Sequence, residues 1–442
     1  MGSKLVVNGG TKLHGNFEIQ GSKNETFQVM CAALLTKEDV IVHNTPDIVD
    51  VNSLLDILRI LNVKINKIDH GSYCLNASNI TSVDNSNIDI LRLNLKKLRG
   101  GVLILGPLLT RFGYATMPLP GGDKIGRRRL DTHFLGFQKL GATCYYDDTI
   151  DAYVCKSNAR LNGTYILLDE SSVTGTANII LASALADGTT TIYNAACEPH
   201  IQQLCNMLCR MGADISGIGS NKLIINGVTN LHGTEHHIEA DIIEIGSMIG
   251  LAVMTESDIT LTSKNLQQNS LWPIIGRFNK LGIQVDVDQR NGNIHIPSQH
   301  TYEIRKGLQP SSIVQIDDAI WPGFPTDLTC ILLVTSIQAK GSVLIHEKMF
   351  ESRLFFVDKL IEMGAKIILC DPHRAHVMGI NREYRLHGMT LDSPDIRTGM
   401  SLLIAALSAE GVSIVNNLEI IERGYQHITH RLQDLGADIR EE

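Results

Sequence analysis

One turn recurs six times along this 442-residue chain, and it limits what the chain can fold into. The clearest copies are Lys139-Leu140-Gly141-Ala142, Arg210-Met211-Gly212-Ala213, Lys280-Leu281-Gly282-Ile283, Glu362-Met363-Gly364-Ala365 and Asp434-Leu435-Gly436-Ala437. Ile60-Leu61-Asn62-Val63 is a weaker first copy. Each closes a helical stretch and opens a strand-like one. Glycine at this position fits a helix end that needs positive φ, which glycine adopts without steric cost. The front half of the block repeats as well, in Ala32-Ala33-Leu34-Leu35, Ala182-Ser183-Ala184-Leu185 and Ala405-Ala406-Leu407-Ser408, each running into a β-rich segment. A spacing of about 70 to 80 residues is too long for a solenoid rung, so each copy is a supersecondary block. Six α/β blocks do not share one core economically, so the pattern predicts two domains of three blocks each.

The boundaries follow from where the pattern breaks. The third block ends near Asn226-Gly227-Val228, a polar, His-containing stretch runs to Ala240, and a new helical pattern starts at Asp241. The strand-like segment 4–8 precedes the first block and is expected to pair with the sixth. The expected domains are therefore 22–239, carrying a loop at 118–133, and 1–21 plus 240–442. No Pro/Ser/Gly linker separates them, so the crossings are short and suit hinge motion around a cleft.

Hydrophobic residues at 43% and charged residues at 19% describe an ordinary globular protein. A net charge of −8 argues against a nucleic-acid coat. Nine cysteines without short paired spacings read as reduced thiols of a cytoplasmic protein. No apolar run approaches membrane-spanning length and no secretory leader pattern is visible, so neither membrane nor export is expected.

The most chemically loaded segment runs from Pro118 to His133. Prolines and glycines keep it irregular until Asp131. Lys124, Arg127, Arg128 and Arg129 put four cations within six residues, beside glycine backbone. Guanidinium forks and exposed N–H groups match phosphate or carboxylate oxygens. Asp123 sits at the tip. The bland reading is a solvated turn with a charge run.

Other cations stand at block boundaries: Lys23 at the mouth of the first helix, Arg99 after Lys96-Lys97-Leu98, then Arg353, Arg397 and Arg423. Helix mouths favour anions, but Gly21-Ser22-Lys23-Asn24 is no P-loop, because no Ser or Thr follows the lysine. Asp327, in Phe324-Pro325-Thr326-Asp327, reads as a helix cap or as an exposed base. Cys205 and Cys209, with Cys197 and His200 nearby, read as a buried i, i+4 pair or, less simply, as zinc ligands.

Taken together and in order, several segments resemble the UDP-N-acetylglucosamine 1-carboxyvinyltransferase family. They are Gly21-Ser22-Lys23-Asn24, Arg99, Pro120-Gly121-Gly122 with Ile125-Gly126 and Arg128, Ser172-Val173, Asn194-Ala195-Ala196 with Glu198-Pro199, Phe324-Pro325-Thr326-Asp327, Phe350-Glu351 with Arg353, and Arg423-Gly424-Tyr425. The resemblance spans nearly the whole chain. It implies the enolpyruvyl transferase fold, a two-domain inverse α/β barrel with three repeated units per domain and the active site in the cleft between them. It also implies a cytoplasmic enzyme of peptidoglycan synthesis, with consequences for cell shape and cell division. Its partners would be phosphoenolpyruvate and UDP-N-acetylglucosamine, with no cofactor, metal, nucleic acid or membrane, and the chain would act as a monomer.

Carried over, Lys23, Asn24, Arg128, Arg397 and Arg423 would hold phosphoenolpyruvate. Arg99, Arg128, Arg129, Leu130, Asp131, Thr132, Glu170, Ser171, Ser172, Val173, Asp327 and Met349 would hold the sugar nucleotide. Three positions depart from the family's usual pattern: Asp123 replaces a loop-tip cysteine, Glu170 a lysine, and Arg129 a proline. The cysteine is the residue that fosfomycin alkylates, so the chain is expected to be insensitive to that epoxide.

The implied reaction adds a sugar hydroxyl to C2 of phosphoenolpyruvate while C3 takes a proton, and phosphate then leaves. It needs a base at the hydroxyl, an acid at C3, and cations for a carboxylate and a phosphate. Asp327 is the candidate base and Asp123 the candidate acid. Asp123 has to be protonated to serve, so the closed site would have to favour a form that a free aspartate disfavours at neutral pH. Three alternatives compete: the sister transferase acting on shikimate 3-phosphate, an inactive paralogue, and a six-block scaffold such as a DNA clamp. Clamps need basic ring-lining helices, whereas the cations here concentrate in glycine loops.

Overall fold

A computed structural model of the chain describes residues 2–83, 88–96, 98–123, 125–305, 309 and 313–442. Among these the strands form six sheets, five of four strands and one of three. The recurring turn closes a helix every time. Gly141, Gly212, Gly282, Gly364 and Gly436 have φ of 98°, 101°, 88°, 104° and 94°, and Asn62 has φ of 62°. In all six copies the glycine or asparagine N–H bonds back three residues at 2.8–3.0 Å. The next N–H bonds back five residues, as Val63 to Leu58 and Ala437 to Leu432, at 2.9–3.2 Å. That double bond is the Schellman arrangement. Asparagine is the residue besides glycine that visits this region most readily, which explains how the weak copy still works.

Contacts divide the chain between Gln20 and Gly21 and between Glu239 and Ala240. One unit holds 1–20, 123–127 and 240–442, and is called here the terminal unit. The other, the internal unit, holds 21–122 and 128–239. The short segment Asp123–Arg127 thus groups with the terminal unit, while its chain neighbours on both sides group with the internal one.

Within the terminal unit, Ile242–Met254, Thr329–Ser336 and Ile396–Ser408 are helices buried at nearly every position. They pack on one another. Helices that are apolar all round belong at a centre, and three sheets supply the remaining apolar surface of this core. Strand Lys4–Asn8 lies between Val412–Asn416 and Ile439–Glu441, antiparallel to both, so the N-terminal segment does pair with the sixth block. A second early strand, His14–Glu18, pairs parallel with Asp258–Thr262 of the fourth block.

The internal unit repeats the plan around Lys23–Ala32, the continuous stretch Arg99–Phe112, and Val173–Ser183. Its own core is separate. Strand Thr234–His237 closes this unit by pairing parallel with Asp39–His43 of the first block. No helix among the described residues is long and apolar enough to cross a membrane.

Candidate active site

In the internal unit the candidate residues gather at helix starts. Ser22 caps the helix Lys23–Ala32, its hydroxyl accepting from the Glu25 N–H at 3.4 Å. Lys23 is therefore the first helical residue, and its ammonium meets Asp50 Oδ2 at 2.5 Å. Asp50 is buried in the first turn of Val49–Ile60. Asn24 is exposed at the same helix mouth. Ser172 caps Val173–Ser183 by accepting from the Gly175 N–H at 3.2 Å, and a helix start of this kind favours anions. Ser171 and Val173 flank it, half-buried.

After Pro118, which ends the strand Tyr114–Pro118, the described residues of the loop stay irregular until the helix Asp131–Lys139, as its composition predicts. Gly121 donates to the Leu95 carbonyl, and a Cβ there would stand 1.6 Å from the Lys96 carbonyl oxygen, so only glycine passes. Arg99 donates to the carbonyls of Arg128 and Arg129 and so pins the far end of the loop. Burial, and then the nearby Arg128 guanidinium, lower the Arg99 pKa to about 10. Two guanidiniums that repel each other this closely favour an anion between them. Arg129 and Asp131 are largely exposed and 4.0 Å apart, and Leu130 is buried. The loop lysine Lys124, like Lys97, lies outside the described residues.

Glu170, at the position where the resemblance leads one to look for a lysine, accepts from the Thr132 hydroxyl at 3.2 Å. Behind Thr132 lies His133, which sequence reasoning gave no role. Its Nε2 meets Thr174 Oγ1 at 3.2 Å and its Nδ1 meets Asn178 Nδ2 at 2.8 Å. Burial, helped by Arg99, lowers its pKa to about 3, so it is a neutral strut.

In the terminal unit Asp327 is no cap. The short helix Thr326–Leu328 starts after Pro325 without a side-chain cap, and Asp327 instead accepts from two arginines. Arg353 donates to Oδ1 and Arg397 to Oδ2, each at 3.1 Å. Arg353 and Arg397 are 1% and 7% exposed, whereas Asp327 is 30% exposed. Burial opposes both guanidinium charges. Tyr425 and Asp327 outweigh it for Arg397, and Asp327 with its neighbours for Arg353, so both pKa values rise. Arg397 also lies over the Tyr425 ring at 5.3 Å, and its Nη1 has no hydrogen-bond partner among the described residues. A buried donor of this kind is costly until an acceptor arrives.

At the loop tip, Asp123 Oδ1 accepts from Arg423 at 2.7 Å. Glu351 accepts from the Arg127 N–H at 3.0 Å, and Gly126, at φ of 140°, leaves a Cβ only 2.5 Å from Glu351 Oε2. Met349 is exposed at the start of this segment.

Beneath Met349 lies Glu347, fully buried, a second residue the sequence did not single out. It accepts from the Thr326 hydroxyl and from the N–H groups of Met349 and Phe350, tying Asp327's turn to the 349–353 segment. Burial, and then the neighbouring Asp318 carboxyl, raise its pKa to about 8. A carboxyl raised from 4.5 to about 8 in the folded state adds stability at low pH that is lost as pH rises through that window. Glu347→Gln keeps the acceptor oxygen and a donor toward Asp318. Denaturant titrations from pH 5 to 9 should show the variant losing less stability than the parent, by on the order of 1 kcal/mol or more at the alkaline end. Parallel curves would mean that Glu347 is ionised throughout.

Cys205 is fully buried, and burial pushes its thiol up to about 12. Among the described residues no group of three metal-ligating side chains includes it.

Six sheet-and-helix blocks define the class. The fold is that of enolpyruvyl transferases. It matches the crystal structure of the enolpyruvyl transferase NikO from Streptomyces tendae over 100% of this chain and 99% of that one, with a TM-score of 0.87 at 23% identity. EPSP synthase from Acinetobacter baumannii matches with a TM-score of 0.73 at 18% identity, covering 100% of both chains. The family model for EPSP synthase (3-phosphoshikimate 1-carboxyvinyltransferase) matches residues 7–432. UDP-N-acetylglucosamine 1-carboxyvinyltransferases of Bacteroides thetaiotaomicron and Porphyromonas gingivalis are each 54% identical, over 437 and 442 residues, covering 99% of both partners in each pair. That of Borreliella burgdorferi is 46% identical over 437 residues, covering 98% of both. The chain belongs to the UDP-N-acetylglucosamine 1-carboxyvinyltransferase family, within the wider EPSP synthase family.

Proposed function

We propose that this chain transfers the enolpyruvyl group of phosphoenolpyruvate to the 3-hydroxyl of UDP-N-acetylglucosamine and releases phosphate, the first committed step of peptidoglycan synthesis. The observation that carries the reading to chemistry is the Asp327 carboxylate, held by two buried arginines while part of it stays open. Full-length identity of 54% to enzymes of that name supports the acceptor.

In this reading Asp327 takes the proton from the sugar hydroxyl as its oxygen bonds to C2, and Asp123 gives a proton to C3. Arg397, with its unanswered Nη1, takes an anionic oxygen of phosphoenolpyruvate, as do Lys23, Asn24, Arg128 and Arg423. Lys23 and Arg423 already hold carboxylates at 2.5 and 2.7 Å, so both are fixed in place before substrate arrives. For Asp123 to donate, the incoming anion has to draw Arg423 away from it. In the second half-reaction C3 gives up a proton, the C2–O bond to phosphate breaks, and the enol ether forms.

The sugar nucleotide falls to Arg99, Arg128, Arg129, Leu130, Asp131, Thr132, Glu170, Ser171, Ser172, Val173, Asp327 and Met349. Glu170 acts by orienting Thr132, because a carboxylate does not ligate a diphosphate directly. The reaction requires no cofactor, since arginines and lysine carry the charge. It runs in the cytoplasm, in a monomer, and serves cell shape and division. A net charge of −8 speaks against nucleic acid as a partner.

Phosphate release from phosphoenolpyruvate tests the reading. It should depend on UDP-N-acetylglucosamine and be absent with shikimate 3-phosphate. Release with shikimate 3-phosphate alone would move the chain to the sister activity, and no release with either would make it an inactive paralogue.

A further inference from the structure

We propose that His43, Glu235 and His237 form a zinc-binding site on the solvent face of one sheet of the internal unit. None of the three is assigned to substrate. Their placement follows from strand periodicity. In Asp39–His43, Val40 and Val42 point into the core, which puts Ile41 and His43 on the opposite face. Thr234–His237 runs parallel beside it as the edge strand, with His237 opposite His43 and Glu235 opposite Ile41. The alternation makes the contrast visible within one tripeptide. His236 turns inward, is 2% exposed and bonds Glu25, while Glu235 and His237 turn out.

The three outward groups converge. Glu235 Oε1 lies 2.8 Å from His43 Nε2 and 3.6 Å from His237 Nε2. The two imidazoles stack with centroids 4.4 Å apart and planes 18° from parallel. All three ligand atoms lie within 4.8 Å of one another. A tetrahedral zinc with bonds of about 2.0–2.2 Å needs ligand atoms roughly 3.3–3.6 Å apart, which is reached here when the His237 ring turns out of the stack so that both lone pairs meet the metal. Two neutral imidazoles and a carboxylate are a common zinc set, with water completing the sphere.

A further contact points the same way. His43 Nδ1 lies 2.9 Å from Ser72 Oγ, on the strand at His43's other side. Without metal, Nε2–H donates to Glu235 and Nδ1 accepts from the Ser72 hydroxyl; with zinc in place the ring would take the other tautomer, Nδ1–H donating to Ser72 while Nε2 ligates the metal, the orientation that outer-shell partners impose on metal-bound histidines. Bound metal would clip the edge strand to its neighbour just before the chain leaves this unit at Glu239. Its effect is therefore on stability rather than on turnover.

The test uses the full chain, stripped of metal with chelator and dialysed. Calorimetric titration with zinc should give one ion per chain with micromolar or tighter affinity. Cobalt(II) should give the visible absorption of a four- or five-coordinate nitrogen/oxygen site, without the near-ultraviolet charge transfer of thiolate ligation. His237→Asn and Glu235→Gln should each weaken binding tenfold or more, and Ser72→Ala by about 10-fold. Zinc should raise Tm by several degrees in the parent and not in His237→Asn. No binding, binding equal in parent and His237→Asn, or a thiolate charge-transfer band would each overturn the proposal. The cluster would then be a surface carboxylate hydrogen-bonded by His43 with His237 stacked beside it.

Discussion

Asp327→Asn is expected to lower kcat by roughly 10²-fold or more, while KM for UDP-N-acetylglucosamine changes only modestly. The substitution keeps the shape of the side chain and removes its basicity. It also replaces one carboxylate oxygen by an amide that cannot accept from a guanidinium. Arg353 and Arg397, both buried, each donate to a different oxygen at 3.1 Å, so one of them loses its acceptor. A hydrogen bond to a charged group is worth about 1.5–3 kcal/mol, and stability should fall within that range. The two effects separate by measurement. A general base shows in the pH profile of kcat, whose acidic limb should disappear in the variant. A positioning residue would lower kcat without changing that limb. Near-normal turnover would leave Asp327 as an anchor for the two arginines.

What could be read from the chain before its structure was whatever one residue's own stereochemistry demands. The turn at Gly141, Gly212, Gly282, Gly364 and Gly436 was legible because positive φ selects glycine, and Asn62 showed as a weaker copy because asparagine tolerates the same region. The helix mouth at Lys23 was legible in Gly21-Ser22-Lys23-Asn24. Of the pairings between distant segments, only that of 4–8 with the sixth block was legible, from where the block pattern starts. The polar, His-containing stretch that holds Thr234–His237 gives no sign that it forms a strand and joins Asp39–His43, almost 200 positions earlier. The site divides in the same way. Loop cations and Asp327 announce themselves by composition and by resemblance to a family. Asp50, His133 and Glu347 do not, because a buried carboxyl or imidazole is defined by its neighbours. Glu347 looks like any strand-end glutamate until Asp318, Thr326 and two backbone amides surround it. That Asp327 pairs with cations instead of capping a helix likewise rests on Arg353 and Arg397, 26 and 70 residues away.

Fosfomycin should fail to inactivate this protein while turnover continues. The resemblance implies that the epoxide is opened by a nucleophile at the loop tip, and the residue there is Asp123. A thiolate attacks a strained carbon far faster than a carboxylate does. The carboxylate is also occupied, because Arg423 donates to Oδ1 at 2.7 Å and the pair is about four-fifths shielded from solvent. Proton delivery makes a different demand. It needs an acid within reach of C3, which in the proposed mechanism is Asp123 once the substrate anion has taken Arg423. Capture and catalysis should therefore separate at this single position. Asp123→Cys should gain time-dependent, irreversible inactivation and keep turnover, helped by Arg423, whose charge favours the thiolate. Asp123→Ala should lose roughly 10²-fold or more in kcat, with the fold intact by circular dichroism. Progress curves with and without preincubation in fosfomycin distinguish the three proteins. Rapid inactivation of the unsubstituted chain would mean that another nucleophile lies within reach of the epoxide. Full activity of Asp123→Ala would move the acid to another residue and leave Asp123 as the partner that parks Arg423 between turnovers.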